Sequence, residues 1–193
     1  MRQIGSSAKP FVYEEAFRKG AITPETPVSD ARLSITELPA RSPAYDPQNS
    51  DGTFGGDLPA KEGLVHSRNT MSVRVGEFAG LGKVRGLAHL VGLGERIPDL
   101  PAVFLGAFES TVKDVTAAYS VFPNLGVFRL PHLISSVEDR EGRVLWKAPR
   151  EERRVISPDS AWMVTSILHE VMKSGTAAKA ASLGWKKIGA GKT

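Results

Sequence analysis

Cysteine is absent from the 193 residues of this chain, which excludes disulfide bonds and metal sites built from thiolates. No run of about 18 uninterrupted apolar residues occurs, so the sequence offers no candidate for a membrane-spanning helix. The four histidines show no ligand spacing, and no glycine-rich phosphate-binding loop is present. We therefore expect neither a metal nor an organic cofactor.

A concentration of charge of one sign is also lacking. The net charge is +4 and the isoelectric point is near 9.4, but charges of both signs are interspersed. The mixed patch at residues 150–154 is interpreted as a solvated turn. Nucleic-acid-binding proteins carry clustered cations and a recognisable binding motif. Since neither is found here, we expect no nucleic-acid partner.

What the chain does contain is enough apolar sequence, 41% of its residues, to bury a core of one domain. Periodicity and capping signals predict helices after Pro10, over 58–66, 69–78 and 84–91, from Ser110 or Thr111 to Phe122, and from Ser157 to Met172. A hairpin is predicted from 127–137 and 144–146, and the beginning of a strand from 186–193. The expected core of the last helix is Trp162, Ile167, Leu168 and Val171.

Residues 21–59 form a long segment without periodicity. Prolines recur there beside Asp, Ser and Gly, which predicts turns and extended pieces: Pro24, Pro27, Pro39, Pro43, Pro47 and Pro59. A long irregular segment inside a compact domain is usually functional or flexible.

Ser6 and Lys9 are the candidate reactive pair, because side chains three residues apart lie on one face of a helix. A serine hydroxyl is a weak nucleophile until a neighbouring base takes its proton. Lysine is such a base only where burial or nearby positive charge keeps it neutral. At a helix start the serine also lies among free backbone N–H groups, which suit a developing oxyanion. A lone serine at such a position is more often a helix cap, so the pair needs further support.

Two later motifs provide that support. Residues 67–69 (SRN) are the only S-x-N in the sequence, and residues 191–193 read GKT. The set S-x-x-K, S-x-N and K-T in this order is shared with penicillin-binding proteins and class A β-lactamases. A second S-x-x-K, from Ser110 to Lys113, falls outside this order and is interpreted as a helix start.

Over essentially its whole length the chain resembles the transpeptidase domain of a bifunctional (class A) penicillin-binding protein. Residues 2–13 (RQIGSSAKPFVY) are close to the family pattern R-Q-P-G-S-S-F-K-P-F-x-Y. Further segments that resemble the family are 45–49, 66–70, 105–109, 117–122 and 175–177. The resemblance implies an α/β (α+β) fold of the serine β-lactamase and penicillin-binding-protein type. It also implies that the segment 21–59 lies beside the active site.

Catalytic roles follow from the same resemblance. Ser6 would attack the carbonyl of a D-Ala-D-Ala bond and become acylated, with Lys9 as the base. Ser67 would relay a proton to the leaving nitrogen. An amine from a neighbouring stem peptide would then take the acyl group, so that peptidoglycan is cross-linked.

Substrate-binding roles follow likewise. Asn69 would hold the substrate amide, Lys192 would attract the terminal carboxylate, and Thr193 would hydrogen-bond to it. The implied partners are peptidoglycan stem peptides, as acyl donor and amine acceptor, and β-lactams as covalent inhibitors. No metal or cofactor is implied.

The chain departs from the family pattern at both ends. It opens five residues before Ser6, without the family's preceding strands, and it ends before the glycine and hydroxyl residue that follow K-T in the family. We therefore expect a partial domain over residues 1–193, mostly helical with a short hairpin and with the central sheet largely missing. One of the family's two oxyanion donors lies beyond K-T, and losing such a donor costs about 100- to 1,000-fold in rate.

Family members are anchored in the cytoplasmic membrane by a segment upstream of anything in this sequence. The resemblance therefore implies an extracytoplasmic location, with membrane contact only through an N-terminal anchor not included here. A catalytically inactive remnant that keeps only the helical part of the fold is the open alternative.

Overall fold

The computed structural model of the protein describes residues 1–37 and 45–193. Seven α-helices lie in these residues: α1 Lys9–Arg18, α2 Ala60–Val65, α3 Asn69–Ala79, α4 Leu81–Leu90, α5 Val112–Tyr119, α6 Pro158–Lys173 and α7 Lys179–Ser182. Short 3-10 helices occupy Gly5–Ala8, Ile35–Glu37 and Pro101–Leu105. Each helix predicted from periodicity is present, with ends shifted by a few residues.

The strands are β1 Arg2–Gln3, β2 Pro27–Ser29, β3 Asp57–Pro59, β4 Glu109–Ser110, β5 Val127–Arg129, β6 Ser136–Glu138, β7 Val144–Lys147 and β8 Glu152–Arg154. Across residues 1–37 and 45–193 they form only two-stranded antiparallel ladders: β1 with β4, β2 with β3, β5 with β8 and β6 with β7. The prediction of a mostly helical structure without a continuous central sheet is confirmed.

Helix α1 lies at the centre of the molecule and packs against α3, α4 and α6. Its residues from Lys9 to Phe17 are all buried, so it has no solvated face over these positions. A helix buried all round normally carries apolar residues only. Here the apolar core around α1 also has to accommodate polar groups, and those groups are the chemically informative ones.

Two of the buried polar groups on α1 are adjacent carboxylates. Glu14 accepts a hydrogen bond from Ser160 Oγ at 2.8 Å through Oε1, while its buried Oε2 has no hydrogen-bond partner. Glu15 is ion-paired with Arg18, whose Nε donates to it at 3.2 Å. Burial raises the pKa of Glu14 to about 7.

The predicted hairpin is found, but it is interrupted. Its outer ladder joins β5 to β8 and its inner ladder joins β6 to β7, with residues 130–135 between β5 and β6. Pro131 lies in that gap, and proline cannot donate to a ladder. The interpretation of residues 150–154 as a solvated turn is wrong for Glu152–Arg154, which pair as β8 with β5.

Two further predictions are wrong. Trp162 is 66% exposed on α6, whereas Ile167, Leu168 and Val171 are buried as expected. Residues 186–193 do not form a strand, because no neighbouring strand lies beside them in the described part of the chain. This segment instead runs along α6, where the N–H of Gly191 donates to the carbonyl of Leu168 at 3.1 Å.

The described residues of the segment 21–59, which are 21–37 and 45–59, contain only short elements, β2, the 3-10 turn Ile35–Glu37 and β3, as the proline content predicts. Pro39 and Pro43 lie outside the described residues. The ladder between β2 and β3 brings the two ends of the segment together just before α2. Asp30 and Asn49 from this segment are thereby buried beside α3.

Candidate active site at the start of helix α1

Ser6 and Lys9 lie on either side of the junction between a 3-10 turn and α1. Gly5–Ala8 form the turn, Lys9 is the first residue of the α-helix, and Pro10 follows it. Proline is tolerated there because the first N–H groups of a helix have no intrahelical acceptor. Gly5 opens the turn with φ +53°, a conformation that glycine adopts without strain. The sequence GSSAKP thus places Ser6 one turn before Lys9.

A distant segment fixes the beginning of this turn. The N–H groups of Ile4 and Gly5 donate to the carbonyls of Phe108 and Gly106, both at 3.2 Å, and β1 continues the contact by pairing with β4. Gly106 has φ +74°, and a Cβ added there would lie 2.0 Å from the carbonyl oxygen of Gly5. Only glycine allows the two backbones to approach so closely.

Aromatic packing holds the other side of the turn. Tyr119 donates its hydroxyl to the carbonyl of Ser7 at 2.8 Å, and its ring packs edge-on against Phe11 at a centroid distance of 5.5 Å. Phe122 packs against both rings. Residues 105–109 and 117–122, which resemble family segments in the sequence, are therefore the supports of the Ser6 turn.

One hydrogen-bonded group contains four of the predicted site residues: Lys9, Ser67, Asn69 and Ser6. Lys9 Nζ lies 2.7 Å from the carbonyl oxygen of Ser67, 3.1 Å from Ser67 Oγ and 2.7 Å from Asn69 Oδ1. Ser67 Oγ in turn donates to Ser6 Oγ at 3.1 Å. The Ser67 hydroxyl therefore bridges the amine of Lys9 and the hydroxyl of Ser6. Residues about 60 positions apart in sequence meet here within hydrogen-bonding distance.

The environment of Lys9 favours its neutral form. The residue is fully buried, and burial is the main cause that lowers the pKa of Lys9 from 10.5 to about 7. The positive charges of Lys192 and Arg68 lower the pKa further. At neutral pH a large fraction of Lys9 is thus unprotonated, which is the state in which an amine accepts a proton.

The loop 66–68 between α2 and α3 presents Ser67 to this group. Ser67 has φ +57°, a left-handed conformation that is uncommon for a residue other than glycine. Asn49 Oδ1 accepts the N–H of Asn69 at 2.7 Å and so caps α3 from another segment. The carboxamide of Asn69 donates to the carbonyl of Gln48 at 2.7 Å, which leaves its Oδ1 directed at Lys9.

The two remaining predicted site residues are Lys192 and Thr193. Burial lowers the pKa of Lys192 to about 8, and its charge acts on Lys9. Thr193 Oγ1 donates to Thr176 Oγ1, and the N–H of Thr176 donates to the carbonyl of Val65 at 3.3 Å. A cavity of about 480 Å³ borders this region, and its lining includes Thr176 and Arg68.

The second S-x-x-K pair has a different setting. Thr111, not Ser110, caps α5 by accepting the N–H of Asp114 at 3.1 Å, and Ser110 pairs with Arg2 in the β1–β4 ladder. The Lys113 side chain is 76% exposed and faces Asp114. This supports the interpretation of the pair as a helix start.

Sequence reasoning missed the buried carboxylate of Asp30, which contacts the S-x-N loop through Arg68 and Thr70. No local pattern around Asp30 distinguishes it from other turn residues.

Chemically, the assembled site offers a hydroxyl bridged to a buried amine, which suits nucleophilic acyl transfer. Among residues 1–37 and 45–193, no group of three or more His, Asp or Glu side chains is placed to hold a metal ion. In the same ranges no helix is long and apolar enough to cross a membrane.

Comparison with known proteins bears on this site. A family model described as the penicillin binding protein transpeptidase domain matches residues 2–193. Penicillin-binding protein 1A of Neisseria meningitidis serogroup A is 36% identical over 201 residues, which cover 100% of this chain and 25% of that protein. The crystal structure of penicillin-binding protein 1A from Haemophilus influenzae superposes with a TM-score of 0.85 at 24% identity, covering 94% of this chain and 32% of that one.

A ceftriaxone acyl-enzyme complex of penicillin-binding protein A from Mycobacterium tuberculosis gives a TM-score of 0.77 at 20% identity, over 89% of this chain and 43% of that one. At such identities the two solved structures establish the fold alone. The chain spans about a quarter of the length of the curated relatives it matches. The family model, in contrast, covers all but the first residue. The chain therefore belongs to the penicillin-binding protein transpeptidase family.

Proposed function

We propose that this chain carries the acyl-transfer site of a serine D,D-transpeptidase, with Ser6 as the nucleophile. The observation that carries the proposal is the chain of contacts from Lys9 Nζ to Ser67 Oγ to Ser6 Oγ, each 3.1 Å long. Nucleophilic catalysis by serine needs a base within hydrogen-bonding reach, either directly or through one intermediary. A buried lysine whose pKa is lowered to about 7 meets that need.

In the proposed reaction, the Ser67 hydroxyl turns its proton from Ser6 towards the neutral amine of Lys9 and accepts the proton of Ser6, so that Lys9 becomes protonated as Ser6 Oγ attacks the substrate carbonyl. A bond forms between Ser6 Oγ and the carbonyl carbon, and the peptide C–N bond breaks. Ser67 then donates a proton to the leaving nitrogen and takes one back from Lys9, which becomes neutral again, since a hydroxyl both donates and accepts. Deacylation by an amine repeats these proton transfers in reverse.

Binding of the substrate would involve the remaining predicted residues. Asn69 would hold the substrate amide, although its Oδ1 accepts from Lys9 in the unliganded site. Lys192 would supply positive charge for a terminal carboxylate, and Thr193, which lies beside Thr176, would hydrogen-bond to it. A compound that ends in D-Ala-D-Ala offers the amide and the carboxylate that this set requires.

We infer the substrates, peptidoglycan stem peptides as donor and amine acceptor, from the family, and with them an extracytoplasmic location. β-Lactams mimic the donor and would acylate Ser6. The M. tuberculosis acyl-enzyme complex supports this reading, because a relative with the same fold is described as acylated by a β-lactam.

A labelled β-lactam tests the proposal directly. The full product of the gene that encodes this sequence should form one covalent adduct, which peptide mass spectrometry should locate at Ser6. Ser6→Ala should abolish the adduct. The matched control Ser110→Ala, at the first residue of the second S-x-x-K, should leave it unchanged.

Two results would overturn the proposal. An adduct that persists in Ser6→Ala and disappears in Ser110→Ala would show that the reactive pair is Ser110 and Lys113, not Ser6 and Lys9. A wild-type protein that is folded, as judged by circular dichroism and a cooperative melt, but forms no adduct would favour the inactive remnant.

A further inference from the structure

A buried carboxylate that no motif marks contacts the residues beside Asn69. Asp30, from the irregular segment, is 1% exposed and accepts four hydrogen bonds. Its Oδ1 accepts from Asn49 Nδ2 at 3.0 Å and from Thr70 Oγ1 at 2.5 Å, and its Oδ2 accepts from Arg68 Nε at 2.8 Å and the N–H of Gly55 at 3.0 Å. We call this set of residues the Asp30 network: Asp30, Asn49, Arg68 and Thr70.

This network is arranged around Asn69. Asp30 binds the side chains of Arg68 and Thr70, the two sequence neighbours of Asn69. Asn49 Oδ1 takes the N–H of Asn69 itself at 2.7 Å. The loop is therefore attached on both sides of Asn69 and along its backbone.

Such attachment is needed because the loop is strained at its reactive position. A left-handed φ is strained at a residue other than glycine, so Ser67 at +57° would relax if its neighbours were free. Relaxation would move both Ser67 atoms that contact Lys9, the carbonyl oxygen at 2.7 Å and Oγ at 3.1 Å. The bridge from Lys9 to Ser6 depends on the second of these.

The charge of Asp30 fits this task. Burial works to raise the pKa of Asp30, but the hydrogen bonds from Arg68, Thr70 and Asn49 outweigh it and keep the pKa below its ordinary value. Asp51 also contacts Arg68, through Nη1 at 2.7 Å, but its side chain is 52% exposed. Exposed ion pairs contribute little, so Asp51 provides a matched control for Asp30.

We propose that Asp30 is a positioning residue for acyl transfer: through Arg68, Thr70 and Asn49 it holds Ser67 and Asn69 against Lys9. This inference rests on the proposed function for its catalytic consequence. Its structural part, that Asp30 maintains the contacts around Lys9 Nζ, stands separately and is measurable without any reaction.

The first measurement is an NMR titration of the Lys9 side chain through its ¹³Cε signal, assigned by its absence in Lys9→Met. If Asp30 only contributed charge, Asp30→Asn would lower the pKa of Lys9, because a negative charge is removed. If Asp30 positions the loop, the contacts around Nζ open to water and the pKa rises towards 10.5. We expect a rise of at least about one unit in Asp30→Asn and no resolved change in Asp51→Asn.

The second measurement is the rate of β-lactam acylation at pH 9.5, divided in each protein by the neutral fraction of Lys9 that its measured pKa gives. We expect Asp30→Asn to lower the first-order acylation constant about 10- to 100-fold, with the affinity for the unreacted β-lactam changed less than about threefold. Asp51→Asn should change neither by more than about twofold. A merely structural role for Asp30 would lower the melting temperature without this split between rate and affinity.

The outcomes are distinguishable. A lowered or unchanged Lys9 pKa in folded Asp30→Asn, with an unchanged acylation constant, overturns the inference. If the wild type forms no adduct, the proposed function fails, while the Lys9 titration still decides whether Asp30 positions the loop. If Asp30→Asn does not fold, Thr70→Val removes one of the four donors at constant charge and should raise the Lys9 pKa by about half a unit; an unchanged pKa there overturns the inference.

Discussion

Replacing Asn69 with aspartate tests the environment of Lys9 by a change of one atom. In the wild-type protein the uncharged Oδ1 of Asn69 lies 2.7 Å from Lys9 Nζ. Aspartate keeps the shape of the side chain and places a negative charge at this distance. It also loses the hydrogen bond that Asn69 Nδ2 donates to the carbonyl of Gln48, as Asn69→Ala does. An opposite charge within about 4–6 Å typically moves a pKa by 1–3 units towards the charged form. We therefore expect the pKa of Lys9 to rise from about 7 to about 9.

The size of the effect follows from the neutral fraction of Lys9. With a pKa of about 7, about 70% of the amine is neutral at pH 7.4, whereas with a pKa of about 9 only about 2–3% is neutral. Acylation at pH 7.4 should fall about 30-fold for this reason alone. The loss should be recovered as the pH rises through 9, because deprotonation of Lys9 then restores the base.

The assay is the second-order rate constant for labelling by a fluorescent penicillin between pH 6 and 10.5 at constant ionic strength. The acid limb should lie near pH 7 in the wild type and near 9 in Asn69→Asp. Asn69→Ala provides the control, since it removes the contact without adding charge: its plateau should fall while its acid limb stays near 7. An acid limb near 7 in Asn69→Asp would refute the assignment of Lys9 as the base.

Two stability predictions concern other parts of the site's support. Glu14 has a pKa of about 7 when folded against 4.5 when unfolded, so the folded protein binds this proton more tightly and stability is lost as the pH rises from 4.5 to 7. Glu14→Gln should remove this loss and raise the free energy of unfolding at pH 8 by as much as about 3 kcal/mol, as measured by urea denaturation. The control Glu15→Gln breaks the ion pair with Arg18 and should lower the free energy of unfolding. Gly106→Ala should lower the free energy of unfolding by more than about 2 kcal/mol, because strain at φ +74° adds to a clash of the new Cβ with the carbonyl oxygen of Gly5 only 2.0 Å away. Gly142→Ala, at φ +80° with no atom within 4 Å of the new Cβ, should cost only about 1 kcal/mol, and equal costs would contradict the close-approach argument.

The helical part of the fold was predictable because its signals are local. Ser157 caps α6 and Pro158 follows at its first turn, so position and chemistry coincide within two residues. The strand predicted over 186–193 was wrong because a strand depends on a partner that local sequence does not reveal. The prediction that Trp162 is part of the core was wrong for a related reason. Helical periodicity defines an apolar face, but it does not reveal whether another element covers that face.

The candidate site was predictable only in its membership. Ser6, Lys9, Ser67 and Asn69 were named from motifs, and the structure brings their side chains together. How they are held together was not predictable, because the supports are single residues far away in sequence. Asp30 in an irregular segment illustrates this, since a buried, fourfold hydrogen-bonded aspartate and an exposed turn aspartate look alike in sequence.

The sequence separation within the site has a consequence for when the pKa of Lys9 is lowered. Lys9 meets Ser67 across 58 residues and Asn69 across 60, and Tyr119 reaches Ser7 across 112. On a ribosome that adds about 5–20 residues per second, Lys9 is made several seconds before these partners. Until they arrive, Lys9 is an ordinary solvated ammonium group, and no neutral amine is held near Ser6. The lowered pKa of Lys9 therefore appears only when these distant segments have met, and a titration of this one lysine reports that folding step.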